Sequence, residues 1–310
     1  MKILRDYQFV EPGDRGASAA IGNFDGVHLG HQSVIKLARD VSPNAPVGVL
    51  TFDPHPRAYF APSAPPFQLM SREARASRLE KLGVDVLFEL NFNAALAALS
   101  PEDFATRVIA QGFGLSHVLV GADFCFGKGR VGTADDLRKF GDDLGFGVTI
   151  APLMEQADIT VSSTAIRDAL STGNPRTAAD MLGHWHRIEG PVIGGEQRGR
   201  ELGYPTANMS IDRLHPPAFG VYAVLVDVLE GPHQGSYTGV ASMGVRPMFG
   251  ENRPNLETFI FDFSGDIYDT PLSVALVEYL RPEEKFNGLP ALISQMDADS
   301  LRARDILAAL

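Results

Sequence analysis

The sequence predicts two domains of different class: an open, doubly wound α/β sheet over residues 1–183, and a six-stranded antiparallel barrel with a closing helix over 184–310. Three observations predict this. The chain has 310 residues, 45% of them hydrophobic, which suffices for two separate cores. Up to Gly183 short apolar runs alternate with helical periods, the pattern of parallel βαβ units. Beyond Gly183 the apolar runs follow one another with only Gly, Pro, Asp and Asn clusters between them, as in a small closed barrel.

In the first domain strands are expected over 17–21, 46–52, 84–90, 117–121 and 147–152. Helices are expected near 31–41, 71–82, 101–112 and 133–144. The third begins at Ser100-Pro101-Glu102-Asp103, where a capping hydroxyl, a proline in the first turn and two acids suit the helix dipole. Sheets of this kind bind ligands at the carboxyl ends of their strands. In the second domain strands are expected over 186–194, 205–211, 220–229, 236–245, 256–263 and 272–280. Leu289, Leu292, Ile293, Met296, Ala303, Ile306 and Leu307 then keep a helical spacing.

Composition excludes several classes of protein. Lys plus Arg is 27 against 38 Asp plus Glu, a net charge of −11, which argues against a nucleic-acid or anionic-membrane surface. The single cysteine, Cys125, forms no intramolecular disulfide and no multi-cysteine zinc site. The N-terminus lacks a signal-peptide core, and no stretch approaches the ~18 apolar residues of a membrane span. A cytoplasmic protein without nucleic-acid or membrane partners is expected.

Chemistry concentrates in a few short stretches. In GNFDGVHLGHQ (22–32) two imidazoles, His28 and His31, stand where a strand ends and a helix begins. Free N–H groups and the helix dipole attract phosphate there, and two imidazoles three apart face the same anion. They suit the oxygens that gain charge as phosphorus becomes five-coordinate. A zinc reading lacks further ligands. In VSSTAIR (161–167) Ser162, Ser163 and Thr164 precede a helical pattern, and Arg167 follows one turn on. Taken alone this is a helix cap with a solvated Arg, or an anion site with a bidentate phosphate contact. GPVIGGEQRGRELGYPTANMSI (190–211) holds Gly190, Gly194, Gly195, Gly199 and Gly203, whose bare N–H groups suit phosphates. Gly194, Gly199 and Arg200 are the expected contacts. Thr206 and Asn208, two apart in an extended segment, share one face and offer hard oxygen ligands for Mg2+.

With these residues in view, the sequence resembles the nucleotidylyltransferase superfamily, and within it the bacterial bifunctional riboflavin kinase/FMN adenylyltransferases, or FAD synthetases. GNFDGVHLGHQ, LTFDPHPRAYF (50–60), VGADFCFGKGRVG (120–132) and VSSTAIR are similar to that family's adenylyltransferase motifs. GRELGYPTAN (199–208), NLETFIFDF (255–263) and LRPEEKF (280–286) are similar to its kinase motifs. The resemblance spans about residues 15 to 307. It implies a Rossmann-like domain that joins FMN to the α-phosphate of ATP, releasing pyrophosphate, and a barrel that phosphorylates riboflavin with Mg-ATP. His28 and His31 then grip the α-phosphate, with Gly22 and Asn23 nearby, while Ser163, Thr164 and Arg167 hold the leaving phosphates. Tyr59, Asp123 and Phe126 belong to the flavin pocket of that half. Glu257 is the implied base for the riboflavin 5′-hydroxyl, and Arg281 the implied contact to flavin or its new phosphate. The closing helix and GVYAVLV (220–226) are implied to be scaffold. GVASMGVRPMF (239–249) departs from the family pattern at Ser242 and Met248.

Three other readings are weaker. An enzyme with one decayed half conflicts with catalytic candidates in both. A flavin carrier or sensor conflicts with the intact His-x-Gly-His and PTAN. A nucleotidylyltransferase for a sugar or pantetheine phosphate gives no reason for the barrel.

Overall fold

The computed structural model describes residues 1–152, 155–156, 159–194, 203–248 and 251–310. The chain divides into two compact units, Met1–Ala64 with Arg75–Val161, and Pro65–Ala74 with Ser162–Leu310.

The first unit is built on six parallel strands: β1 (Lys2–Leu4), β2 (Ser18–Ile21), β3 (Val47–Asp53), β4 (Val86–Asn91), β5 (His117–Gly121) and β6 (Gly147–Ala151). Their order is β1-β4-β3-β2-β5-β6. The order reverses between β2 and β5, which puts the end of β2 at the topological switch point. Every residue of β2 is buried, as are the first five of β3 and of β4. Near-continuous apolar runs are what a parallel sheet covered on both faces requires. Gly48 in β3 lets Phe88 pass, since a Cβ there would stand 2.8 Å from its ring.

All five expected strands form, each within two residues of its expected start. β1 escaped sequence reading because three residues on a sheet edge show no alternation. Helices α1 (Leu29–Val41) and α2 (Pro56–Phe60) follow β2 and β3, then α3 (Arg72–Lys81) and, after β5, α4 (Ala134–Leu144). The helix expected over 101–112 is one α-helical turn, Pro101–Asp103, continued as a π-helix over Phe104–Phe113. It stops at Gly114, in the left-handed region at φ 60°.

The second unit holds α5 (Ser163–Ser171), α6 (Pro175–Leu182) and a six-stranded antiparallel sheet. The strands are β7 (Arg187–Pro191), β8 (Thr206–Ser210), β9 (Gly220–Val228), β10 (Gly235–Met248), β11 (Glu251–Ile260) and β12 (Pro271–Arg281). Their order is β7-β12-β9-β10-β11-β8. The expected closed barrel is a near-barrel: among the described residues, its two edges meet in one isolated bridge, Ile193–Asn208, whose N–H···O distance is 2.8 Å. Tyr222, Val224, Leu256 and Leu276 fill its inside. On the outer face Val221, Ala223, Phe261 and Val277 pack against Ala303 and Leu307 of α7 (Leu289–Ala308). β9 and β12 are therefore buried on both faces. The strand expected over 256–263 ends earlier, at Ile260, because Asp262 takes a left-handed turn at φ 56°.

Candidate active sites

The loop after β2 is tightly determined. The Gly22 N–H donates to the Leu50 carbonyl at 3.1 Å, and the Thr51 hydroxyl to that of Asn23 at 3.0 Å. Phe24 and Val27, not only Gly26, take positive φ, at 52° and 44°. Such residues cost of order 1–3 kcal/mol each and persist where packing over-determines them. Here both side chains are fully buried. The turn delivers His28 to the N-cap of α1, where its Nδ1 accepts the His31 backbone N–H at 3.4 Å. Nδ1 being an acceptor, the neutral ring carries its proton on Nε2.

The His31 ring stacks on that of His28, with centroids 3.7 Å apart and planes at 20°, and leans on Phe24 at 4.8 Å. Burial, and then the neighbouring His28, hold the His31 imidazole well below its usual pKa. Its Nδ1 is buried without a hydrogen-bond partner among the described residues. A neutral imidazole with an unpaired polar atom at a helix N-terminus fits an anionic oxygen.

Around this loop the structure sorts the aromatic candidates. His55 is buried and caps α2, accepting the Arg57 N–H at 3.0 Å. Tyr59 stands edge-on to Phe60 and Phe92, and Phe60 is 68% exposed. Phe126 lies in the hydrophobic core, with Phe124 stacked on it at 5.5 Å, so it backs the loop surface instead of forming it. Asp123 is exposed at the turn of the same loop. Sequence reading missed buried Glu89, held by Arg75 at 3.2 Å and Arg5 at 2.9 Å.

In the second unit Ser162 caps α5, accepting the Ala165 N–H at 3.2 Å, which leaves Ser163 and Thr164 in the first turn. Arg167 Nε donates to the Phe67 carbonyl at 2.6 Å, with the guanidinium 5.4 Å from the Phe67 ring centroid. His186 donates from Nε2 to the neighbouring Leu69 carbonyl at 2.9 Å, and its buried Nδ1 has no hydrogen-bond partner among the described residues. Burial, above all, lowers the pKa of this imidazole to about 4.

The same unit holds a pocket of about 430 Å3 on the outer face of the near-barrel. Thr206, Glu257, Arg281 and Phe286, drawn from three separate stretches of sequence, line it together, as does Ser242. Asn208 stands directly opposite Glu257 in the β8–β11 ladder, on the same face as Thr206. Helix α7 contributes Leu292, Met296, Asp299 and Ser300, so the element expected to be scaffold forms a wall.

The Arg281 guanidinium lines the pocket with a carboxylate partner of its own. It binds Asp299 through Nε at 2.9 and 3.1 Å and Nη2 at 2.7 Å, and sits 5.5 Å from the Phe286 ring centroid. Tyr204, two residues before Thr206, donates its hydroxyl to Asp297 of α7. Burial first, and then Asp297, push that phenol up to about 12. Gly194 is described, and no atom of the described residues lies within 4 Å of where a Cβ would stand. Gly199 and Arg200 lie outside the described residues, as does the side chain of Met248. Among the described residues no group of three His, Cys, Asp or Glu is placed to hold a metal ion, and no helix is long and apolar enough to cross a membrane.

Comparison with known proteins follows the same division. Residues 10–165 match a family model described as FAD synthetase, and residues 182–307 one described as riboflavin kinase. A bifunctional riboflavin kinase/FMN adenylyltransferase from Pseudomonas fluorescens is 40% identical over 99% of this chain and 98% of its own. Its namesake from Bacillus subtilis is 36% identical over 97% and 96%, and that from Escherichia coli K12 34% over 98% and 97%. Among solved structures, one described as a macrolide-efflux protein from Streptococcus pneumoniae matches with TM-score 0.83 and 31% identity, covering 97% of this chain and 98% of that one.

Proposed function

Because the chain belongs to the bifunctional riboflavin kinase/FMN adenylyltransferase family, and so makes FMN from riboflavin and FAD from FMN with ATP, we propose that the residues described above divide between the two reactions. The activities are assigned to residues 1–183 for FAD formation and 184–310 for the kinase. One cysteine in the chain and ATP as donor support a cytoplasmic setting with small-molecule partners only.

In the kinase reaction Glu257 accepts the proton of the riboflavin 5′-hydroxyl as that oxygen attacks the γ-phosphorus. Thr206 and Asn208 are the residues that would hold Mg2+. A hydroxyl and an amide oxygen on one strand face are hard, neutral donors, which fits a cation arriving with triphosphate and water in its shell. When bound, the ion neutralises charge developing on the phosphates. Gly194, Gly199 and Arg200 complete phosphate binding. Arg281, fixed by Asp299, stacks Phe286 along the flavin wall.

In FAD formation the Nε2–H of His28 and the ring of His31 bind the α-phosphate oxygens, beside the Gly22 and Asn23 backbone. Ser163, Thr164 and Arg167 bind the departing phosphates. Tyr59 and the Asp123 loop, backed by Phe126, wall the flavin. FMN phosphate attacks directly, so positioning and charge stabilisation suffice.

The observation that supports this most is the pairing of Asn208 with Glu257 on the pocket strand. The test is a pair of variants assayed separately for FMN and FAD. His28→Ala is expected to lose FAD formation and keep FMN formation, and Glu257→Gln to do the reverse with supplied FMN. Loss of both activities in either folded variant overturns the division.

A further inference from the structure

We propose that Asn255 is a positioning residue of the kinase reaction, whose buried amide holds the Asn208 amide and the Glu257 carboxylate in fixed orientation. The inference rests on the assignment of Asn208 as cation ligand and Glu257 as base. It goes beyond that assignment by naming what orients them.

Asn255 precedes Glu257 by two residues on β11, so the two side chains share a face, and Asn208 lies opposite Glu257 on β8. The Asn255 Nδ2 stands 3.3 Å from Asn208 Oδ1 and 3.4 Å from Glu257 Oε1. One NH2 group has two hydrogens, and here it faces two acceptors. An ionised carboxylate only accepts, so Glu257 dictates which end of the Asn255 amide faces it. That NH2 in turn dictates that Asn208 presents Oδ1. The Asn208 Nδ2 is directed to the Thr206 carbonyl at 3.4 Å, which agrees with this orientation. An amide oxygen has two lone pairs, so Oδ1 keeps one for a cation. A single side chain thus couples the orientation of the base to that of the ligand oxygen.

Asn255 is 2% exposed, and its own Oδ1 has no hydrogen-bond partner among the described residues. An unsatisfied buried acceptor is a standing cost that an apolar residue of similar size would avoid. What the amide offers in return is its NH2 end.

Three substitutions in the full chain test this. In Asn255→Ala the kinase kcat is expected to fall about 100-fold, the scale of a displaced reacting group, with riboflavin KM within about threefold. FAD formation from supplied FMN stays at the parent rate. Asn255→Ser restores one donor at nearly the same volume and is expected to run about tenfold faster than Asn255→Ala. A packing role predicts no such difference. Asn255→Asp keeps the shape but offers no NH2 donor, so its kinase kcat is expected to fall with that of Asn255→Ala. If Asn255→Ala does not fold, the comparison of Asn255→Ser with Asn255→Asp decides. Equal kcat for the Ala and Ser variants, or a parent-like kcat in Asn255→Asp, overturns the proposal. Glu257→Gln separates this from its premise. Full kinase activity in Glu257→Gln means the base is misassigned, whereas an inactive Glu257→Gln beside a parent-like Asn255→Ala removes only the role given to Asn255.

Discussion

At the scale of residues, His186 shows how a buried imidazole sets a pH limit. Its pKa falls from 6.5 in the unfolded chain to about 4 in the fold, because burial penalises the charged ring, a cost that outweighs the opposing help of the Nε2–H bond to Leu69. The unfolded chain therefore binds the proton first as pH falls. Stability is fully present above about pH 6.5 and is lost progressively down to about pH 4, by about 3 kcal/mol in all. Urea unfolding of His186→Gln at pH 7 and pH 4.5 is expected to show a shallower decline than the parent, from a lower starting stability. His31, depressed in the same direction, adds to the same trend. What sequence could reveal at this scale depended on chain distance. His28 and His31 were legible because their partners are each other and the following helix. Asn255 and Asp299 were not, since Asn208 and Arg281, the partners that tie them to the pocket, lie 47 and 18 residues away, and both look like ordinary strand and helix residues until the chain folds.

At the scale of elements, α7 is tied to the kinase pocket through its carboxylates. Asp299 is buried, bound to Arg281 and to Gln295, and Arg281 is itself largely covered. Removing one partner of such a pair leaves an uncompensated charge. Asp299→Ala is expected to cost about 3 kcal/mol of barrel stability, read from the urea midpoint, and to raise riboflavin KM as the Phe286 wall loosens. The helix itself was readable from its apolar spacing, yet its carboxylates were not, because period reports the buried stripe and says nothing of which polar neighbour faces a cavity. The strands were legible for the same reason that β9 was: burial on both faces writes a continuous apolar run. The π-helical geometry of 104–113 was invisible, since its apolar residues fit an α-helical period equally well.

At the scale of the whole molecule, the alternation of βαβ units followed by six turn-linked strands was enough to give both architectures. It did not reveal how the segments group around them. Residues 162–183 and 65–74 fall in the compact unit of the barrel, where Arg176 pairs with Glu278 and the Ala218 N–H donates to the Leu170 carbonyl at 2.9 Å. A fragment of residues 184–310 is expected to make FMN from riboflavin, and a fragment of 162–310 to do so with a higher melting temperature, measured by circular dichroism. The isolated rung between Ile193 and Asn208 has its own consequence. Among the described residues five ladders hold the sheet together like sewn cloth, and one stitch fastens its margins beside the proposed cation ligand. Deuterium uptake at the Ile193 amide should therefore be far faster than at Tyr222 in the empty enzyme, and should slow when a non-hydrolysable ATP analogue is added, as nucleotide draws the margins shut.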